Sequence, residues 1–181
     1  MMVPSRLART ITFRLVGFSR LAWDCDLVYH TRNRLKAKHY VQGERTMAFK
    51  FPSDEWIKEL SRQLNASETY EKSAKDWEGD FIFVCEPDSA YAETAYLYLD
   101  LYHGKSPSAA QLSGPDEKQA AYVLSAPFSA WRKVIDGKLD PIQGMMTRKL
   151  KLQGNMMKIM RYPKAAKEIV SCCALVPTDW D

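Results

Sequence analysis

Histidine is scarce in this chain. His30, His39 and His103 are its only three, and with four scattered cysteines they offer no spacing for a metal site. Cysteine stops at Cys25, Cys85, Cys172 and Cys173. Adjacent Cys172 and Cys173 are poor partners for each other, and Cys85 sits in an apolar run. The set therefore reads as reduced thiols in a cytoplasmic setting, not as a disulfide frame. The eight glycines form neither a phosphate loop nor a dinucleotide fingerprint. No Gly-x-Ser-x-Gly elbow is present. No apolar run reaches the roughly 20 clean residues that cross a bilayer.

Acid is missing from the beginning. Arg6, Arg9, Arg14 and Arg20 all precede the first acid, Asp24. Of the chain's 26 Lys and Arg and 22 Asp and Glu, residues 1–47 hold 9 and 3, a net of +6, which leaves 17 and 19, a net of −2, for the rest. A near-neutral remainder argues against nucleic acid as a partner, since that partner demands phosphate neutralisation. The break divides the chain into a basic extension, 1–47, and a domain, 48–181. For the extension three readings stand: an Arg-rich, acid-poor organelle transit segment, an amphipathic helix touching anionic lipid, or a non-structural leader with Met47 as the true first residue.

What is present is a packable domain, with 46% hydrophobic residues. Ser53 with Asp54 and Glu55 predicts a helix start, and Trp56, Ile57, Leu60 and Leu64 its inner face. Asn65, with Glu68 three residues on, predicts the cap of a second helix, carrying Tyr70, Ala74 and Trp77. Phe81 to Cys85 is apolar on both faces, as in an inner strand. Leu97, Leu99 and Leu101 alternate with Tyr96, Tyr98, Asp100 and Tyr102; the leucines predict core, the tyrosines a solvated or ligand-facing surface. His103 falls at the strand end, away from Tyr102 and Asp100, and reads as a surface histidine. Residues 109–112 are either loop or a short strand. Gln119 to Ser125 is a further strand. Ala166, Ile169, Val170 and Cys173 mark a final amphipathic helix after Pro163, which makes the vicinal cysteines core. Val176-Pro177 begins a tail ending in Trp180. Helices, then strands, then helices predict α+β, a largely antiparallel sheet with helices on one face.

The most patterned stretch is 126–162. Trp131, Val134 and Ile135 share one helix face, which Gly137 ends. Asp140-Pro141 starts another helix, with Asp as cap and Pro in the first position; Ile142, Met145 and Met146 follow at helical spacing. Leu150 and Leu152 alternate with Lys149, Lys151 and Gln153. Gly154-Asn155 stops that strand and caps a helix with Met156, Met157 and Met160.

The series Trp131, Gly137, Asp140-Pro141, Lys149-Leu150-Lys151-Leu152, Gly154-Asn155 resembles the sterol carrier protein type 2 family, the sterol-binding domain. The family pattern runs Trp, short helix, Gly, Asp-Pro, helix, Gly-Lys-Leu-Lys-hydrophobic, Gly-Asp, helix. Arg148 stands where the family has Gly before the Lys, and Asn155 where it has Asp. The resemblance covers about the last 130 residues. It implies five strands under helices, enclosing an apolar lipid tunnel.

It also implies lipid-contacting residues: Phe83, Leu97, Leu99, Trp131, Ile135, Ile142 and the methionines Met145, Met146, Met156, Met157 and Met160, whose flexible thioethers suit adaptable apolar surfaces. Arg132 and Arg148 are the candidates to meet a carboxylate, a CoA phosphate or an anionic membrane surface. Burying a C16 chain at about 0.8 kcal/mol per CH₂ gives about 12 kcal/mol gross. Association costs of several kcal/mol bring affinity to about micromolar. No catalytic residue, cofactor or metal is required. The first expectation is thus a non-enzymatic carrier of a fatty acid, fatty acyl-CoA or sterol-like ligand, with transient membrane contact. The alternatives are an accessory domain presenting such a lipid to a partner enzyme, or a hydrolase or cyclase on an α+β cup. Oligomeric state has no signature in the sequence.

Overall fold

The computed structural model describes residues 48–181. The readings of residues 1–47 lie outside the described residues. A short strand, β1 (Phe49–Lys50), leads into helix α1 (Asp54–Ala66). Ser53 caps α1 by accepting from the Trp56 amide at 3.1 Å, and Asp54, in the first turn, pairs with Lys58. Trp56, Ile57, Leu60 and Leu64 form its buried face, as their spacing predicts.

The second helix, α2 (Glu68–Ser73), is capped by Ser67, whose hydroxyl accepts from the Tyr70 amide at 3.1 Å. This corrects the expectation for Asn65. That residue closes α1 instead, and its amide brackets the Ser106 backbone, donating to the carbonyl and accepting from the N–H, both at 2.8 Å. A side chain that can satisfy a distant loop need not serve the next helix.

The main sheet has the order β4-β3-β2-β5-β6, formed by Ala109–Leu112, Ala95–Leu99, Phe81–Glu86, Tyr122–Pro127 and Lys151–Gln153. The 109–112 segment is therefore a strand, and Phe81 to Cys85 lies in the central one. Three pairings are antiparallel. The fourth, β2 with β5, is parallel, so the sheet is mixed. The chain leaves β2, returns antiparallel through β3 and β4, and re-enters on the far side of β2. The connection from β4 returns the chain to the starting end of β2, where Tyr122 stands opposite Phe81, so β5 runs parallel to β2.

Helices α3 (Phe128–Ile135), α4 (Pro141–Met146), α5 (Met156–Ile159) and α6 (Pro163–Cys173) follow. Gly137, at φ 71°, ends α3 as the left-handed residue after the cap. Asp140 accepts from the Gln143 amide at 3.0 Å and starts α4 with Pro141 at its first position. Asn155 caps α5 in the same way, accepting from Lys158 at 3.1 Å.

One buried cluster joins the helices to the inner face of the sheet. Leu97, Leu99 and Leu101 belong to it. On the opposite face Ile82, Tyr98 and Leu112 make a smaller cluster. Tyr98 is thus buried, not solvated: it stands opposite Ile82 on the next strand, its hydroxyl bonds Asp80 at 3.1 Å, and Lys118 covers its ring. Tyr102 is exposed.

The C-terminal segment is no free tail. Strand β7 (Thr178–Asp179) pairs parallel with β1. Trp56 donates its indole N–H to Thr178 Oγ1 at 2.9 Å. Trp180 packs on Phe51 and Phe128, and the Arg132 guanidinium lies over its ring.

Candidate functional site

A row of large apolar side chains crosses the inner face of the sheet in register: Leu97 on β3, Phe83 on β2, Leu124 on β5 and Leu152 on β6. The adjacent row holds the small residues Ala95, Cys85 and Ala126. Beneath the helices this surface floors a cavity of about 90 Å³. Phe81, Phe83, Cys85, Leu97 and Leu124 form the floor. Helices α1 and α3 contribute Trp56, Leu60, Trp131, Val134 and Ile135. Pro141 and Met145 of α4, Leu150, and Ile159 of α5 make one side, and Ala166, Ile169, Val170 and Cys173 of α6 the roof. Roughly 10–15 Å³ of such space holds one water, but a water also needs polar partners. This lining offers almost none, so the space suits hydrocarbon.

The position of Trp131 is fixed at both ends of its side chain. Its indole donates to the Val84 carbonyl at 2.9 Å, and its ring meets Phe83 edge-on at 5.6 Å. Phe81 is held in a run of rings, 5.9 Å from Trp77, 4.9 Å from Tyr122 and 5.6 Å from Phe83. The floor is therefore rigid, whereas the α4 and α5 side rests on helices of one or two turns.

Of the residues expected to contact lipid, Phe83, Leu97, Trp131, Ile135 and Met145 line this cavity. Leu99 is fully buried in the core, while Ile142 and Met156 are half-buried; none of the three forms part of the cavity wall. Met146, Met157 and Met160 are on the surface, 66%, 70% and 42% exposed. The expected methionine lining is thus corrected: among these five only Met145 points in. The reason is geometric. Helix α5 is a single turn, and Ile159 occupies its inward position, so Met157 and Met160 face outward. In α4, Met145 takes the inward position and leaves Met146 outside.

Arg132 and Arg148 are both exposed. Arg132 rests on Trp180. Arg148 adopts φ 58°, just past the Thr147 cap of α4. The left-handed conformation there explains why the resembled pattern has Gly at this position.

Sequence reasoning read α6 as core and did not assign it to the site, although it supplies the roof. It also missed Phe51, Trp56, Leu60, Leu124, Leu150 and Ile159. Periodicity reports which face is buried, not whether the space before it is filled.

Among the described residues that line the cavity, the cysteines are the only nucleophilic side chains. Cys85 and Cys173 line it, but burial pushes the Cys85 thiol up to about 12 and that of Cys173 upward too; Cys172 rises to about 11 for the same reason. At neutral pH these are protonated and poor nucleophiles. His103 sits elsewhere, its ring contacting Glu78 at 3.1 Å and the Lys75 carbonyl at 2.6 Å. Among the described residues no cluster of His, Cys, Asp and Glu could hold a metal. No helix among them is long and apolar enough to cross a membrane.

Comparison with known proteins agrees with this architecture. The model of the SCP-2 sterol transfer family matches residues 57–167. A crystal structure of sterol carrier protein 2 is 31% identical, with a TM-score of 0.63, over 68% of this chain and 97% of that one. The solution structure of a conserved hypothetical protein from Thermus thermophilus, described as possibly a sterol carrier protein, is 29% identical, with a TM-score of 0.66, over 76% of this chain and 97% of that one. No curated protein sequence matches.

Proposed function

Because the chain belongs to the SCP-2 sterol transfer family, we propose that it is a lipid carrier that sequesters the hydrocarbon of a fatty acid, fatty acyl-CoA or sterol-like ligand in the cavity between sheet and helices. The observation that carries this reading is the apolar wall around unfilled space. A dense core would leave no such void, and a catalytic cup would converge polar groups on it. Binding and release need no bond to be made or broken, so a carrier role calls for no catalytic residue or cofactor.

The surroundings of the cavity suit delivery from a membrane. From Pro141 to Lys167 the chain has no acid and seven bases, Arg148, Lys149, Lys151, Lys158, Arg161, Lys164 and Lys167. Lys151 pairs with Glu86, and Lys158 bonds the Glu78 carbonyl. The other five make no ion pair with any described residue. The exposed Met146, Met157 and Met160 lie among them, on the elements that also carry Met145 and Ile159 into the cavity wall. Apolar knobs in a basic field are what an anionic lipid surface attracts. The same bases, Arg148 foremost, would meet a ligand carboxylate or phosphate.

The test is to fill the void. Val170→Trp should lower affinity for a fluorescent fatty acid at least tenfold, about 1.4 kcal/mol, with thermal stability held or raised because the ring enters empty space. Met146→Trp, on the surface, should leave uptake into the cavity unchanged. A destabilised Val170→Trp protein with unchanged lipid affinity would assign the space to ordinary packing.

A further inference from the structure

Beside the main cavity lies a second, smaller one of about 30 Å³. The two share Phe81, Ile159, Ala166 and Ile169 as a common wall. Beyond that wall the small chamber continues between Tyr70, Trp77 and Leu101. Its lining, like that of the first, is apolar.

The four shared residues are not equivalent as a barrier. Phe81 is locked among the rings of Trp77, Tyr122 and Phe83. Ala166 has only a methyl group to offer. Ile169 lies within the three-turn helix α6. Ile159 is buried, 5% exposed, and rides on the single turn of α5. That turn is pinned over the smaller chamber. Lys158 Nζ donates to the Glu78 carbonyl at 2.6 Å, and the Tyr162 hydroxyl donates to the Asp76 carbonyl at 3.1 Å. Ile159 lines both spaces, so its branched side chain stands between them, with these two bonds holding the short turn to the segment before β2.

We propose that Ile159 sets the length of the aliphatic chain this protein takes: the methyl end of the ligand stops against it, and the small chamber is the extension that a shorter side chain would open. The inference rests on the acyl-chain reading above and adds a length limit to it. Each methylene buried is worth about fourfold in affinity, the equivalent of about 0.8 kcal/mol. For saturated fatty acids of rising length, affinity should climb by that factor per carbon and then level off where the chain end meets Ile159.

The test is displacement of a bound fluorescent fatty acid from the full chain by saturated acids from octanoate to stearate. Ile159→Ala removes three carbons, so the levelling point should move about two to three carbons longer. Ile159→Val, the variant least able to disturb the fold, should move it about one carbon longer. Ile159→Phe should move it shorter. Thermal unfolding of each variant separates loss of fold from loss of fit. A levelling point that stays where it is, or an equal weakening at every length, would overturn the role of Ile159. If no acid displaces the probe from any form and none binds saturably, the acyl-chain reading itself fails.

Discussion

Arg148 shows how a single backbone angle can be read back into sequence. It follows the last turn of α4 with φ 58°, a region that costs a residue with a Cβ about 1–2 kcal/mol. Glycine there removes that cost and gives back part of it as unfolded-state entropy. Arg148→Gly should therefore raise stability by about 0.5–1 kcal/mol, seen as a few degrees in thermal unfolding. Arg148→Ala should not. Equal effects from both would place the cause in the guanidinium rather than the backbone. The thiols give a second expectation at this scale. Desolvation lifts the folded values of Cys85 and Cys172 to about 12 and about 11. In the unfolded chain they ionise near their ordinary value, about 8.5. The stability they contribute is complete below that pH and is lost as pH rises toward 11 to 12, because only the unfolded state gives up its protons freely. Buried Tyr70 shifts in the same direction, again by desolvation. Urea midpoints measured from pH 7 to 10.5 should hold steady and then fall; a rise above pH 9 would contradict the burial of these groups.

At the scale of elements, the legible parts were those whose signal is local. Ser53, Asp140-Pro141 and Asn155 start their helices where their capping chemistry says they should. The alternation of Leu97 and Leu99 is borne out as one buried strand face. The parallel pairing of β2 with β5 was not legible, because it depends on where a distant segment re-enters the sheet. The methionines misled for a related reason. On helices of one or two turns, helical spacing does not fix which side faces inward, and Ile159 took the place that Met157 or Met160 was expected to hold. The C-terminal segment carries another long-range contact, in which Trp180 closes over Phe51 and Phe128. Phe51 lines the cavity. Trp180→Ala should cost about 2–3 kcal/mol, somewhat less than loss of a fully buried Trp, and should weaken lipid uptake as Phe51 loosens. Unchanged urea midpoints would mean that β7 is only a decoration of the fold.

At the scale of the whole molecule, charge and apolar surface divide the labour. Residues 1–47 carry a net of +6 and the remainder −2, and the remainder includes the acid-free span from Pro141 to Lys167. We expect a chain beginning at Met47 to fold and melt within a few degrees of the full chain, since β1 starts at Phe49 and bonds Pro177 within this domain. A larger loss would show that the preceding residues pack on it. The central claim is that the void beneath the helices is a lipid site, and its most direct measurement is of stoichiometry. Protein delipidated and then exposed to excess palmitate, washed, and analysed by native mass spectrometry should carry one palmitate per chain. Val170→Trp protein treated in the same way should carry clearly less, in line with at least tenfold weaker binding. Absence of bound lipid from the unaltered chain, or equal loading of both forms, would contradict the account.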